Sequence, residues 1–256
     1  MGNQFFINRQ RIHSVAREVA IRGLSGWMPY FIINEFPKSG GTWLGQLLSG
    51  GLDVPFVRNS FPPFHSSIFH GHFLSSFGMN NVVVIWRDGR DVMTSWYHHC
   101  LFELDHNNSP IVAMVRKDLG DRNFDNVQEH LPDFIEYAFT RQYYPRFTWS
   151  EFVNKWYGQQ GVSYVRYEDL LIKPVSELQR LCGELRDGCV IDDHVASQIV
   201  DRYSFNNQSG RRAGIEEKNK FLRKGISGDW KNYFTESASE VFDFYAGKEM
   251  KLLGYR

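Results

Sequence analysis

The run Val82-Val-Val-Ile-Trp86 limits the possible folds more than any other stretch of this chain. Five consecutive apolar residues, most of them β-branched, leave no face suited to water, so a strand here has to be covered on both sides. A polar turn follows, Arg87-Asp-Gly-Arg-Asp91, and then a helix from Val92. The same order occurs twice more. Tyr30-Phe-Ile-Ile-Asn34 passes through Glu35-Phe-Pro-Lys-Ser-Gly-Gly41 into a helix over Thr42 to Leu48, closed by Gly50-Gly51. Val162-Ser-Tyr-Val-Arg166 passes through Tyr167-Glu-Asp-Leu170 into a helix over Val175 to Leu185. Strands alternating with helices at this spacing predict an α/β fold of three layers, a central parallel β-sheet flanked by helices. Such sheets bind ligands outside the carboxyl ends of their strands, so the loops after Asn34, Trp86 and Arg166 are where chemistry is expected.

No internal repeat and no linker interrupts the 256 residues, which predicts a single domain over 1–256. Lys and Arg number 29 against 29 Asp and Glu, and zero net charge lacks the electrostatic footprint of a nucleic-acid binder. Cys100, Cys182 and Cys189 form no CxxC pair, which fits a reducing compartment and a cytoplasmic location. No apolar run approaches a membrane span. Residues 1–25 form a basic amphipathic segment, with Phe5, Ile12, Val15, Ala16 and Val19 on helical spacing among Arg9, Arg11, Arg17 and Arg22. A helix of this kind either makes weak peripheral membrane contact or docks on its own domain. The 21 Phe, 12 Tyr and 7 Trp exceed what a core of this size requires. They concentrate at Phe134, Tyr137, Phe139, Tyr143, Tyr144, Phe147 and Trp149, within residues 101–150, which read as helices and long loops laid over the site.

Pro37-Lys-Ser-Gly-Gly-Thr-Trp43 lies between a strand and a helix. Gly40 and Gly41 let the backbone approach an anion, and a helix N-terminus directs N–H groups and a positive dipole end towards it. Lys38 adds charge; Ser39 and Thr42 add hydroxyls. The Walker pattern GxxxxGK[ST] is absent, because the lysine precedes the glycines. An ordinary Gly-containing βα turn with a solvated lysine is the alternative.

Together with three other segments, this loop resembles the sulfotransferases that use 3′-phosphoadenosine 5′-phosphosulfate (PAPS), whose loop reads PKSGTTW. Arg223-Lys-Gly-Ile-Ser-Gly-Asp-Trp-Lys-Asn232 is similar to that family's RKGxxGDWKN at every fixed position. Arg87 and Ser95, eight residues apart, are similar to its second nucleotide-binding strand and helix, and Tyr167-Glu-Asp169 to its YED segment. The resemblance implies a P-loop NTPase-like fold and an O-sulfotransferase acting on the hydroxyl of a carbohydrate or another small acceptor. It implies adenosine 3′,5′-bisphosphate (PAP) as product and no metal.

Carried over by the resemblance, Lys38, Ser39, Gly40, Gly41, Thr42 and Trp43 would take the 5′ end of the nucleotide. Arg87, Ser95, Arg223, Lys224 and the N–H of Gly225 would take the 3′-phosphate. Trp43 and Phe205 would sandwich adenine, Tyr167 would touch its edge, and Trp230 would pack the loop. The family's base histidine, in a segment reading KTH, corresponds to His72 in Phe69-His-Gly-His-Phe73, with Lys38 neutralising the leaving group. Two positions depart from the family: His70 stands where it has a lysine, and Gly41 where it has the first threonine. His65 and His70 are the substitutes for the base. His70 and His72 share one face of a strand, a spacing that also suits a metal, but no Cys or carboxylate is near them in sequence. His98-His99 are candidates for acceptor contact. Lys231, Thr235 and Glu240 resemble a family dimerisation segment, KxxxTVxxxE, in which Glu236 replaces an apolar valine. The alternatives are a P-loop-like small-molecule kinase, a nucleotide-binding protein without catalysis, and, among sulfotransferases, a phenol or alcohol acceptor.

Overall fold

The three runs form strands with the bounds read from the sequence, and two further stretches join them. The computed structural model describes residues 2–105, 108–141 and 145–255, with side chains from residue 12 onward. The chain runs through α1 (Gly2–Leu24), β1 (Tyr30–Asn34), α2 (Gly41–Leu52), β2 (Phe56–Arg58), β3 (Ser67–Gly71) and β4 (Val82–Trp86). Next come α3 (Gly89–Leu101), α4 (Ser109–Asp118), α5 (Val127–Thr140) and α6 (Trp149–Trp156). β5 (Val162–Arg166) precedes α7 (Tyr167–Ile172), α8 (Pro174–Leu185), α9 (Asp193–Arg202), α10 (Phe205–Ser209) and α11 (Glu236–Leu252). The chain divides into two compact units.

The first unit, Met1–Glu35, Ser39–Trp86 and Gly158–Gly210, contains the sheet. Its strands are all parallel, in the order β2-β3-β1-β4-β5. The chain winds to one side of β1 through β2 and β3, then crosses to the other side for β4 and β5. Winding therefore reverses at β1, and the crevice of a parallel sheet opens at such a reversal. The register sets Ile33 beside His70 and Asn34 beside Gly71, so Glu35 leaves the sheet next to the residues that end β3. Alternate strand residues point to one face, where Phe31, Ile33, Ile68, Val83, Ile85 and Val165 pack with Leu44, Leu47, Leu48, Leu178 and Leu181.

Gly50-Gly51 does not close α2, which continues to Leu52. A Cβ on Gly51 would lie 2.6 Å from the Cys182 sulfur, and one on Gly50 would lie 2.8 Å from Ile199. Close approach of helices, not termination, is what these glycines provide. Within α1, Arg17 is buried and donates to the carbonyls of Arg58, Ser60 and His70. Arg22 pairs with Glu18 and donates to the carbonyls of Ser75 and Phe77. Two of the arginines assigned to a polar face thus tie the helix to its own unit, while Ile12, Val15 and Val19 are exposed. The side chains of Phe5, Arg9 and Arg11 lie outside the described residues.

The second unit, Phe36–Lys38, Arg87–Tyr157 and Arg211–Arg256, is helical. Its core explains the aromatic excess: Trp96, Tyr97, Phe134, Phe139, Phe147, Trp149, Phe152 and Phe242 are all buried. Phe36 packs edge-on against Trp96 and Phe147, and Phe139 stacks on Tyr245 at 5.0 Å between ring centroids. The aromatic concentration expected to meet an acceptor is therefore core at Phe134, Phe139, Phe147 and Trp149; Tyr137 bonds Asp118. Tyr143 and Tyr144 lie outside the described residues. Thr235 caps α11 by accepting from the Ala238 N–H, a local role for one residue of the dimerisation-like segment.

Candidate functional site

In the first unit the carboxyl ends of β1 and β3 bring together Glu35, His70 and His72, separated by 35 and 37 positions in the chain. The Glu35 carboxylate, 4% exposed, accepts from the His70 Nε2–H at 2.7 Å and from the Gly41 N–H at 2.6 Å. The His72 Nδ1 lies 2.8 Å from the Glu35 backbone oxygen. A carbonyl can only accept, so Nδ1 carries the proton and the ring's lone pair is on Nε2. Burial, reinforced by repulsion from His70, pushes the His72 pKa down to about 4 against the pull of Glu35. His72 is thus neutral at pH 7, with Nε2 as the ring nitrogen able to accept a proton. For Glu35, burial alone would raise the carboxyl, but the His70 bond, the two histidines and the Gly41 N–H outweigh it and hold it below the usual range. His70 has its Nε2–H engaged and lacks a hydrogen-bond partner at Nδ1 among the described residues.

Glu35 is the residue that the sequence reading missed. No carboxylate lies near His70 and His72 in the chain; the parallel register supplies one, and each of the three side chains offers one potential metal-ligand atom within 4.8 Å of the others. The Gly41 N–H, counted among the anion donors, is directed into this buried carboxylate instead. A Cβ on Gly41 would meet Glu35 Cδ and His70 Cδ2, each at 2.8 Å. Because Glu35 is held by two hydrogen bonds, Gly41→Ala is expected to cost about 1–3 kcal/mol of stability by overpacking, read as a lowered thermal midpoint.

Elsewhere in this unit Ser39 is buried and Thr42 half-buried. Gly40 adopts φ +107°, a conformation that suits glycine, and its α-carbon faces the Tyr167 ring. Tyr167 is buried and meets Trp43 edge-on at 5.9 Å. The buried Trp43 Nε1 has no hydrogen-bond partner among the described residues, and Phe205 starts α10, half-buried, behind the Ser204 cap.

In the second unit Arg87 joins two loops, donating to the carbonyl of Lys38 at 2.9 Å and to that of Ile226 at 3.1 Å. Asp91 fixes the same segment by accepting from the N–H groups of Gly228 and Trp230. Trp230 packs under the Arg90 guanidinium at 3.7 Å, a structural role as expected. Lys38 has φ +74°, uncommon for a side-chain-bearing residue, and its Nζ sits 4.5 Å from the centre of the Phe221 ring. Arg223 pairs with Glu216 and Asp229, and Lys224 with Asp229. Burial would raise the Asp229 carboxyl, but the bonds from Lys224 and Arg223 outweigh it and hold it below the usual range. Gly225 has φ +67°, and Ser95 is half-buried on α3. His98, a candidate for acceptor contact, is buried, both ring nitrogens lack a hydrogen-bond partner among the described residues, and burial with nearby Arg223 lowers its pKa to about 3.

A parallel sheet whose winding reverses at β1, with a lysine-bearing loop after that strand and two histidines at the end of the neighbouring one, is an α/β fold with its polar residues gathered at the carboxyl ends of the strands. Residues 58–254 match the family model described as "Sulfotransferase domain", and the chain belongs to that family. Among relatives, Sulfotransferase 1B1 of Canis lupus familiaris is 25% identical, over 86% of this chain and 82% of its own. The solved structure of mouse sulfotransferase SULT7A1 complexed with PAP shares the fold, with TM-score 0.64 at 18% identity over 91% of this chain and 89% of that one. So does retinol dehydratase in complex with androsterone and the inactive cofactor PAP, with TM-score 0.51 at 14% identity over 87% and 81%. No helix among the described residues is long and apolar enough to cross a membrane.

Proposed function

We propose that the protein is a PAPS-dependent O-sulfotransferase that acts on a hydroxyl of a carbohydrate or another small molecule. The observation that carries this reading is the fixed tautomer of His72, a neutral imidazole whose Nδ1–H is tied to a backbone carbonyl. PAPS supplies an activated sulfuryl group on its 5′-phosphate. His72 takes the acceptor's hydroxyl proton at Nε2 as the acceptor oxygen attacks. Lys38 stabilises the negative charge that grows on the departing 5′-phosphate, assisted by the hydroxyls of Ser39 and Thr42. Arg87, Ser95, Arg223, Lys224 and the Gly225 N–H hold the 3′-phosphate, with Arg offering a bidentate fork. Asp229 and Glu216 keep Arg223 and Lys224 in place until the phosphate takes up their remaining N–H groups. Trp43, Tyr167 and Phe205 form the adenine contacts, and the Trp43 Nε1, without a partner among the described residues, suits a polar group on the nucleotide.

PAP is expected to raise the melting temperature and ATP to leave it unchanged; the reverse pattern would sink the proposal. Lys38→Ala is expected to lower kcat about 100-fold in a transfer assay with labelled PAPS. Sugars, phenols and steroids offered as acceptors in that assay identify the hydroxyl class. Because the aromatic concentration is mostly core, the screen gives sugars no priority.

A further inference from the structure

Both departures from the family pattern meet at one residue. Gly41, in place of a threonine, gives its N–H to Glu35 Oε2, and His70, in place of a lysine, gives its Nε2–H to Glu35 Oε1. The backbone oxygen of the same residue receives the His72 Nδ1–H. We propose that Glu35 is a positioning residue for sulfuryl transfer, joining the base histidine, His70 and the first turn of α2 into one rigid group. This rests on the sulfotransferase reading above.

A buried carboxylate at the start of an anion loop works against binding the nucleotide. It adds a like charge and takes up an N–H that would otherwise point towards a phosphate. Its contribution therefore lies in the chemical step and not in affinity. The His70 ring is held at Nε2 by the Glu35 carboxylate, and the backbone that carries it is held at its carbonyl by Arg17 at 2.8 Å. The His70 and His72 rings meet edge-on at 4.9 Å, so a displaced His70 would carry the base with it. Gly41 follows from the same arrangement, since any side chain there would occupy the space of Glu35 and His70. Small displacements of a catalytic group are costly: about 1 Å can cost on the order of 100-fold in rate.

Glu35→Gln tests the proposal, because an amide of the same shape offers an oxygen to one of the two N–H donors and opposes the other with its NH₂. The expected result is kcat lowered about 30- to 100-fold, while PAP binds as tightly as to wild type or up to about threefold tighter. Glu35→Asp, which keeps the charge on a shorter arm, should recover part of kcat. His70→Gln disturbs the same bond from the other partner and must change kcat and PAP affinity in the same directions, which keeps the test available if Glu35→Gln does not fold. Wild-type kcat in Glu35→Gln overturns the proposal, and so does a parallel loss of kcat, PAP affinity and melting temperature, which would mark a merely structural role. Loss of wild-type activity on dialysis against a chelator, restored by zinc, also overturns it, since Glu35 would then be a metal ligand. Failure of the wild-type protein to bind PAP is a separate result, against the sulfotransferase reading itself.

Discussion

His72→Ala should lower kcat by about 10²- to 10⁴-fold, the usual contribution of a positioned general base, and leave PAP affinity within about twofold of wild type. The two effects separate because His72 would act on the acceptor proton, whereas the 3′-phosphate is assigned to Arg87, Ser95 and Arg223–Gly225. The pH profile gives a second check. Burial and the neighbouring His70 lower the His72 pKa to about 4, so the imidazole is mostly neutral from about a unit above that value upward. Wild-type kcat/KM should therefore be nearly level from about pH 5.5 towards neutrality and fall only as pH drops through about 4. An ordinary exposed histidine would instead lose activity below about 6.5. A limb near 6.5 in wild type, or an alanine variant with normal turnover, would remove His72 from the role of base.

Arg87→Ala is expected to weaken PAP binding by about 10- to 100-fold, the worth of charge-assisted hydrogen bonds to a phosphate. Donor KM should rise far more than kcat falls. Part of the loss is indirect: the guanidinium also holds the carbonyls of Lys38 and Ile226, so both loops slacken when it is removed. A guanidinium has five N–H donors, enough to hold two carbonyls and still serve a phosphate. Arg87→Lys restores the charge but not the fork, and should regain only a small part of the affinity. Calorimetric titration with PAP reads both variants; unchanged affinity in Arg87→Ala would remove this residue from the nucleotide contacts.

Local sequence was enough where the physics was local. The runs at Tyr30–Asn34, Val82–Trp86 and Val162–Arg166 carry local strand patterns and appear as parallel strands with those bounds, the first two buried and the third partly exposed. The loop Pro37–Trp43 and the segment Arg223–Asn232 are short contiguous patterns, legible because the residues they need are adjacent in the chain. The aromatic excess misled, because ring faces pack against one another in a helical core as readily as against a ligand. Gly50-Gly51 misled for a related reason: glycine both ends helices and lets them approach closely, and only the neighbours Cys182 and Ile199 distinguish the two roles.

The Glu35–His70–His72 cluster could not be read from the sequence. Its members are brought together by the register of β1 against β3, which depends on the packing of both strands into one sheet. The sequence by itself determined a parallel α/β sheet, the loops at its carboxyl edge and the family motifs at Pro37–Trp43 and Arg223–Asn232, all properties of contiguous residues. Only the tertiary structure decided which ring nitrogen of His72 holds the proton, that the Gly41 N–H faces a carboxylate, and that Arg17 is buried. Each of these depends on a hydrogen-bond partner supplied from another part of the chain, and a buried polar group takes the state its partner imposes.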